Sequence, residues 1–212
     1  RDRLRSRGLG DVYKRQKYDT VCCSYCGYAA LTKDFMNTTQ VQRKLLREKI
    51  QANYKSHEEV VCDAYSTETA ISRLKMALLC TVTKAGKESE IGNICLKIDW
   101  LYQDLADELE ENSSDYESKK ENYLAEAHNF AMNAYEHLSK ARMEEAFPIA
   151  GMNETTLDYL LSYLGYVKGE YQTAMQYLSG VVSTRGISPR LKDKCLELKE
   201  LLNQKLHASA DQ

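Results

Sequence analysis

The sequence predicts an all-α fold of antiparallel helical hairpins, preceded by a short N-terminal cysteine knuckle with the remnant of a β-hairpin. From residue 38 onward, apolar side chains recur every three or four positions, which is the spacing of amphipathic helices. The 212 residues include only two prolines and ten glycines, so long helices need few interruptions. A strand-like pattern is confined to the flanks of Cys23 and Cys26.

Three long helices are predicted in the first two thirds of the chain. The clearest covers residues 88–109, with an apolar stripe of Ile91, Ile94, Cys95, Ile98, Leu101, Tyr102, Leu105 and Leu109. An earlier helix carries Ala70, Ile71, Leu74, Ala77, Leu78 and Val82. A later one runs through Leu124, Ala127, Phe130, Ala131, Ala134, Leu138 and Ala141.

Three shorter helices follow a break in the pattern. Pro148 and Gly151 interrupt the long helix, and Asn153 is a natural N-cap for the next one. Gly169 separates two helices, and Pro189, directly after a serine, is placed at a first helical position. The predicted ranges are 154–168, 170–183 and 189–206.

The spacing in "LSYLGYVKGEYQTAMQYLSGVV", residues 161–182, is close to that of a tetratricopeptide hairpin. The small residues Ser162 and Ala174 would allow two antiparallel helices to approach closely. Generic helical hairpins also match this spacing. Residues 88–140 are compatible with a second, looser unit. Stacked hairpins leave a concave face, which is where such folds usually bind partners.

Cys23 and Cys26 are the candidate metal ligands. Their spacing lets two thiolates meet one metal ion, and Gly27 permits a tight knuckle whose amides point at sulfur. A chance Cys-x-x-Cys or a redox pair is the alternative, although a redox pair normally opens a helix in a βαβ setting. The other cysteines do not form pairs along the chain and are expected to be reduced and mostly buried, as in a cytosolic protein: Cys62, Cys80, Cys95 and Cys195.

The first 16 residues are basic, with a net charge of +4, and the remaining 196 residues carry −6. We interpret residues 1–16 as translated read-through of a sequencing adapter, or a disordered arm, and exclude them from functional reasoning. The predicted domains are then a partial zinc-ribbon knuckle at 17–36, a helical repeat-like domain at 37–207 and a disordered tail at 208–212. The acidic body argues against nucleic-acid binding, which needs clustered Lys and Arg.

Several other functions lack a sequence signal. No metalloprotease, phosphate-binding, dinucleotide-binding or serine-hydrolase motif occurs, so no catalytic residue is assigned and the protein is expected not to be an enzyme. The longest apolar stretch, residues 76–82, is too short to span a membrane, and no signal peptide is expected before the fold. The expected location is the cytoplasm. Trp100 lies off its helix's stripe and is expected to pack against a neighbouring hairpin or to anchor a partner peptide.

The chain resembles the bacterial domain of unknown function 2225 over about residues 17–205. The first matching motif consists of Tyr18, Asp19, Cys23, Cys26, Gly27, Tyr28, Ala29, Ala30 and Phe35. The second consists of Pro148, Gly151, Met152, Thr156, Leu157, Gly169, Ala174, Pro189 and Arg190. The resemblance implies a zinc ribbon fused to tetratricopeptide-like helices, with zinc as cofactor. The family's upstream Cys-x-x-Cys is absent here, so the resemblance implies only half of the site, and Cys22 is expected to be a packing residue.

Three functional hypotheses follow. The favoured one is a non-enzymatic scaffold that binds a protein or peptide partner, with an incomplete zinc-binding element at its N-terminal end. The second is a thiol-redox or metal-handling protein that acts through Cys23 and Cys26, and the third is a nucleic-acid-binding zinc ribbon. Two chains could also share one zinc ion, each giving Cys23 and Cys26.

Overall fold

The computed structural model describes residues 17–57, 66–110 and 115–210. The interpretation of residues 1–16 and the prediction for Cys62 lie outside the described residues. Within them, the predicted all-α fold with a small N-terminal hairpin is confirmed. The two strands are β1 (Thr20–Cys22) and β2 (Ala29–Leu31). The helices are α1 (Gln40–Lys49), α2 (Thr67–Thr83), α3 (Glu88–Asp107), α4 (Tyr116–Glu144), α5 (Glu154–Lys168), α6 (Tyr171–Ser183) and α7 (Pro189–Ala210).

The chain divides into two compact units at residues 134 and 135. The N-terminal unit, described from residue 17 to 134 apart from the gaps, contains the hairpin, α1 to α3 and the first part of α4. The C-terminal unit, described over residues 135–210, contains the rest of α4 and α5 to α7. Helix α4 has residues in both units.

In the N-terminal unit, helix α2 packs against the hairpin, α1 and α3. Its buried face carries Ala70, Ile71, Leu74 and Ala77 of the predicted stripe, with Cys80 one turn further on. The prediction was wrong for Val82, which is exposed near the end of the helix, and Leu78 is only partly buried. These side chains join Ile94, Ile98 and Leu101 of α3 and Ala29 and Leu31 of β2 in one apolar core. The hydroxyl of Ser66 begins α2 by accepting the Thr69 amide at 3.2 Å. The core therefore holds the hairpin and the helices together.

In the C-terminal unit, α6 packs against both α5 and α7. Asn153 caps α5, accepting the Thr156 amide at 2.9 Å, and Gly169 ends that helix with φ of +90°. Only two residues then separate α5 from α6, so the two helices form a hairpin. The Ser162 hydroxyl donates to the Ala174 carbonyl at 2.8 Å, which confirms the close approach predicted there. The finer, tetratricopeptide character of the hairpin stays a prediction.

The last helix begins as predicted but extends beyond the predicted range of 189–206. Ser188 accepts the Leu191 amide and Pro189 is the first residue of α7, as predicted. The helix continues to Ala210, beyond the boundary drawn at residue 207. Among the described residues, none of the helices is both long and apolar enough to cross a membrane.

Candidate metal-binding knuckle

The two candidate ligands lie in the turn of the N-terminal hairpin. Strands β1 and β2 are antiparallel, and Cys22 pairs with Ala29 at the end of the ladder. The Cys23 amide donates to the Tyr28 carbonyl at 2.8 Å, and the Gly27 amide donates to the Cys23 carbonyl at 2.9 Å. Gly27 has φ of +73°, a conformation that a residue with a side chain adopts only with strain. These bonds close the turn around residues 23–27 and make it a compact knuckle.

The knuckle brings Cys23 and Cys26 together. Both cysteines are half-buried and lie in the same closed turn. Burial is the largest influence on Cys26 and raises the pKa of its thiol. The neighbouring Cys23 raises this pKa further, while the backbone N–H groups of Tyr28 and Cys26 oppose the shift. Two cysteines in one closed turn resemble one arm of a structural metal site.

A second segment of chain covers the knuckle. The ring of Tyr54 lies directly over Gly27, so close that a Cβ at residue 27 would be 2.4 Å from Tyr54 Cδ2. The His57 amide donates to the carbonyl of Ser24, between the two cysteines, at 3.2 Å. The Tyr54 hydroxyl lies 3.2 Å from His57 Nδ1. These contacts could not be predicted from the sequence, because Tyr54 and His57 follow α1 and match no ligand motif.

Buried Cys80 of α2 forms hydrogen bonds with the backbone of the knuckle. Its Sγ accepts the Ala29 amide at 3.4 Å, and its thiol donates to the Gly27 carbonyl at 3.6 Å. Burial raises the pKa of this thiol, and the nearby Cys22 and Cys26 raise it further. Cys80 was expected to be a buried, reduced cysteine, which is confirmed, but its place beside the knuckle was not predicted.

The remaining predicted cysteines behave as packing residues. Cys22 is half-buried and packs against the apolar core of the N-terminal unit, as expected. Cys95 and Cys195 are buried, and burial raises the pKa of the Cys95 thiol to about 12. All six described cysteines are free thiols.

The described residues fit one half of a zinc site but do not complete it. Structural zinc takes four ligands in a tetrahedron, and the knuckle supplies two thiols. Nowhere in the described residues do three or more His, Cys, Asp or Glu side chains stand in an arrangement that could hold a metal ion. Any further ligand must therefore move into place or come from elsewhere.

A different kind of surface lies in the C-terminal unit. Four half-buried tyrosines of α5 and α6 pack against the core formed by α6 and α7: Tyr159, Tyr163, Tyr166 and Tyr171. Val182 and Leu196 are exposed in the same unit. Trp100, in the N-terminal unit, is half-buried. Tyrosine is among the residues enriched where proteins bind one another.

Comparison with known proteins gives one match. The family described as an uncharacterized protein conserved in bacteria (DUF2225) matches residues 11–202. The match begins inside the basic segment that we interpreted as adapter read-through. No curated protein and no solved structure matches the chain.

Proposed function

The chain belongs to this family of uncharacterized bacterial proteins, and we propose that it is a non-enzymatic scaffold whose helices bind a protein or peptide partner and whose knuckle binds zinc through Cys23 and Cys26. The observation that carries the metal part is the closed turn that holds both cysteines, in which the Cys23 amide donates to the Tyr28 carbonyl and the Gly27 amide donates to the Cys23 carbonyl. Two cysteines in one tight turn can supply two thiolate ligands to the same metal ion.

The thiol-redox alternative is less well supported by the backbone. Redox Cys-x-x-Cys pairs owe their reactivity to a helix N-terminus. Here Cys23 follows strand β1, Cys26 lies in the turn and β2 comes next, so no helix begins at either cysteine. The six free described cysteines favour a reducing compartment, in agreement with a cytoplasmic protein.

The scaffold part rests on the C-terminal tyrosines. Rings that are half-buried against a packed core are held rigidly, which lowers the entropy lost when a partner covers them. Tyr166 and Tyr171 are neighbours, with ring centroids 5.9 Å apart on successive helices. Such a pair offers a fixed apolar surface with polar hydroxyl groups at its edge.

The metal part is tested by zinc titration of the reduced, metal-free full chain. We expect Cys23→Ser and Cys26→Ser each to weaken zinc binding at least tenfold, because each removes a thiolate ligand. Cys22→Ser is the matched control, since it changes the adjacent cysteine of the same hairpin and should leave the affinity unchanged. Equal losses in all three variants, or no zinc binding by the parent chain, would contradict the proposal.

The scaffold part is tested by capture of bacterial proteins on the immobilised full chain, followed by reconstitution with the purified partner. The double variant Tyr166→Ala and Tyr171→Ala should weaken that purified complex at least tenfold while circular dichroism keeps its helical signal. Tyr116→Ala, on α4 of the N-terminal unit, is the control. If the double variant binds the purified partner as tightly as the parent chain does, the tyrosines are not the binding surface.

A further inference from the structure

We propose that Tyr102, Glu126 and Phe130 form a binding site for a primary alkylammonium group, which Lys75 occupies in the free chain and leaves when an amine-bearing ligand binds. The ligand carries its amine on an unbranched alkyl chain, as a small alkylamine or the lysine side chain of a peptide does. The four residues lie on three helices of the N-terminal unit, with Lys75 on α2, Tyr102 on α3 and the other two on α4. None of them belongs to the knuckle, so the inference is independent of the proposed metal binding.

The ammonium group of Lys75 lies close to two aromatic rings at once. Its Nζ is 5.1 Å from the ring centroid of Tyr102 and 5.4 Å from that of Phe130. The two rings are stacked, with centroids 6.0 Å apart and an angle of 18° between their planes. A cation within about 6 Å of an aromatic centroid is attracted by the electrons of the ring. Two rings therefore favour a positive charge at this one position.

Two oxygen atoms accept hydrogen bonds from the same ammonium group. Lys75 Nζ donates to the Tyr102 hydroxyl at 2.7 Å and to Glu126 Oε2 at 3.3 Å. A primary ammonium has three N–H donors for such acceptors, whereas a quaternary ammonium has none. The rings thus select for a cation, and the two oxygen atoms select for a primary amine among cations.

The site favours the charged form of the amine that occupies it. Burial acts to lower the pKa of Lys75, but the hydrogen bonds and charges of Tyr102 and Glu126 outweigh burial, and the pKa is raised. A bound alkylamine is stabilised as its cation by the same two groups. Protonated ligand is therefore the species that the site binds.

The core of the unit fixes the aromatic residues of this site. Tyr102 is buried in the apolar core, and Phe130 packs against that core. The ring of Tyr123, which also packs there, has its centroid 6.2 Å from that of Tyr102. The rings consequently stay in place when the occupant changes, and a ligand meets a site that is already formed.

Lys75 is a replaceable occupant because it reaches the site from the surface. Its side chain is 43% exposed, and that of Glu126 is 36% exposed. Rotation of the lysine into solvent hydrates its ammonium group and leaves the rings and the carboxylate to a ligand. A ligand must compete with this internal lysine, so the affinity of the parent chain is reduced by the fraction of molecules in which the site is vacant.

The test is isothermal titration calorimetry of the full chain with n-butylammonium chloride, which has the alkyl chain and amine of a lysine side chain. We expect weak binding by the parent chain. Lys75→Ala should bind the probe about tenfold more tightly or better, because the competing lysine is gone. Adding Phe130→Ala to Lys75→Ala should weaken binding about fivefold or more, since one of the two rings is removed. Neither the parent chain nor Lys75→Ala should bind 1-butanol, which has the same alkyl chain without the charge.

Lys44→Ala, at an exposed lysine of α1 that also pairs with a glutamate, is the matched control and should bind the probe as the parent chain does. Circular dichroism checks that each variant keeps its helices, and Lys75→Gln, with a shorter and uncharged side chain, replaces Lys75→Ala if that variant unfolds. A peptide with one lysine, compared with the same peptide containing norleucine, separates the two sources of the amine. Tighter binding of the lysine peptide than of butylammonium assigns the site to a peptide, and the reverse order assigns it to a free amine.

Three results would overturn the inference. The first is no binding of butylammonium by the folded Lys75 variant. The second is equal binding of 1-butanol and butylammonium, which would show an apolar contact without selection for charge. The third is binding by the Lys75 variant alone, with none by the parent chain at about a hundredfold higher probe concentration, which would make Lys75 a permanent part of the fold.

Discussion

Both units contain packed α-helices, but the contacts that stabilise them differ in the sequence separation of the residues they join. In the N-terminal unit, Cys80 bonds to the backbone at Gly27 and Ala29, across sequence separations of 53 and 51 residues. In the C-terminal unit, the corresponding buried contact of Ser162 with Ala174 spans 12 residues. A hairpin of neighbouring helices is thus specified by its own turn, whereas the knuckle depends on residues supplied by distant segments.

The contrast also applies to charged groups. Lys97 pairs with Asp19 at 2.6 Å across 78 residues in the N-terminal unit. Arg142 pairs with Asp158 at 2.8 Å across 16 residues in the C-terminal unit. Because long-range contacts form only once the whole unit folds, we expect the N-terminal unit to be the more sensitive of the two to single substitutions.

The largest effect is expected at Gly27. Gly27→Ala forces a side chain into a left-handed conformation and places its Cβ 2.4 Å from the Tyr54 ring, so we expect the unit to lose about 3 kcal/mol of unfolding free energy. Gly169→Ala is the matched change in the C-terminal unit. It shares the positive φ but has no atom within 4 Å of the new Cβ, so about 1 kcal/mol is expected.

Denaturant unfolding of the metal-free, reduced chain measures both changes. The single tryptophan, Trp100, reports the N-terminal unit by fluorescence, and circular dichroism follows the helices as a whole. Adding Tyr54→Ala to Gly27→Ala should recover part of the loss, because it removes the ring that the new Cβ meets. Equal losses at the two glycines would show that the Tyr54 contact contributes nothing.

The second prediction compares two fully buried cysteines. Cys80→Ala removes both hydrogen bonds to the knuckle and leaves the Ala29 amide and Gly27 carbonyl without their sulfur partner. We therefore expect a loss of about 2 kcal/mol of unfolding free energy. Cys195 packs among Leu178, Val181 and Leu198, and Cys195→Ala removes mainly apolar contact. About 1 kcal/mol is expected there.

The same unfolding experiment, monitored by Trp100 fluorescence for Cys80→Ala and by circular dichroism for Cys195→Ala, gives the two values. Cys80→Ser is a useful third variant, since its hydroxyl can still donate and accept and should lose less than alanine does. If Cys80→Ala loses no more unfolding free energy than Cys195→Ala, the hydrogen bonds of the Cys80 sulfur to the knuckle do not stabilise the unit.

These differences explain how much could be predicted from the sequence. The bounds of α5 were predictable because Asn153 and Gly169 act on their own helix ends, within a few residues. The knuckle was predictable for the same reason, since Cys23, Cys26 and Gly27 lie in one turn. The roles of Tyr54, His57 and Cys80 were not, because a residue some 30 to 50 positions away gives no local pattern. For Cys80, only its burial as a reduced cysteine was predicted.

The smallest effect concerns two carboxyl groups with opposite pKa shifts. Burial raises the pKa of Asp34 in the N-terminal unit, and the charge of Glu90 raises it further. The positive charges of Lys33, Lys84 and Lys87 oppose this shift. The Oδ2 atom of Asp34 is buried and has no hydrogen-bond partner. Hydrogen bonds from Lys168 and Tyr135 lower the pKa of Glu170 in the C-terminal unit, at a more exposed position.

The two shifts predict opposite responses to acid. Folded Asp34 binds its proton more tightly than the unfolded chain does, so its contribution to stability rises as the pH falls through its folded pKa. Folded Glu170 holds its proton less tightly, so its stabilising contribution is present above its ordinary pKa and is lost as the pH falls through the lowered one.

We expect Asp34→Asn to stabilise the N-terminal unit at pH 7 by less than about 1 kcal/mol and to do so less at acidic pH. Glu170→Gln should destabilise the C-terminal unit at pH 7 and progressively less in acid. Unfolding free energies measured between pH 7 and pH 4 test both predictions, and Glu48→Gln, at an exposed carboxylate of α1, is the control variant. Destabilisation by Asp34→Asn at pH 7 would show that the carboxylate has a favourable ionic role that outweighs its burial.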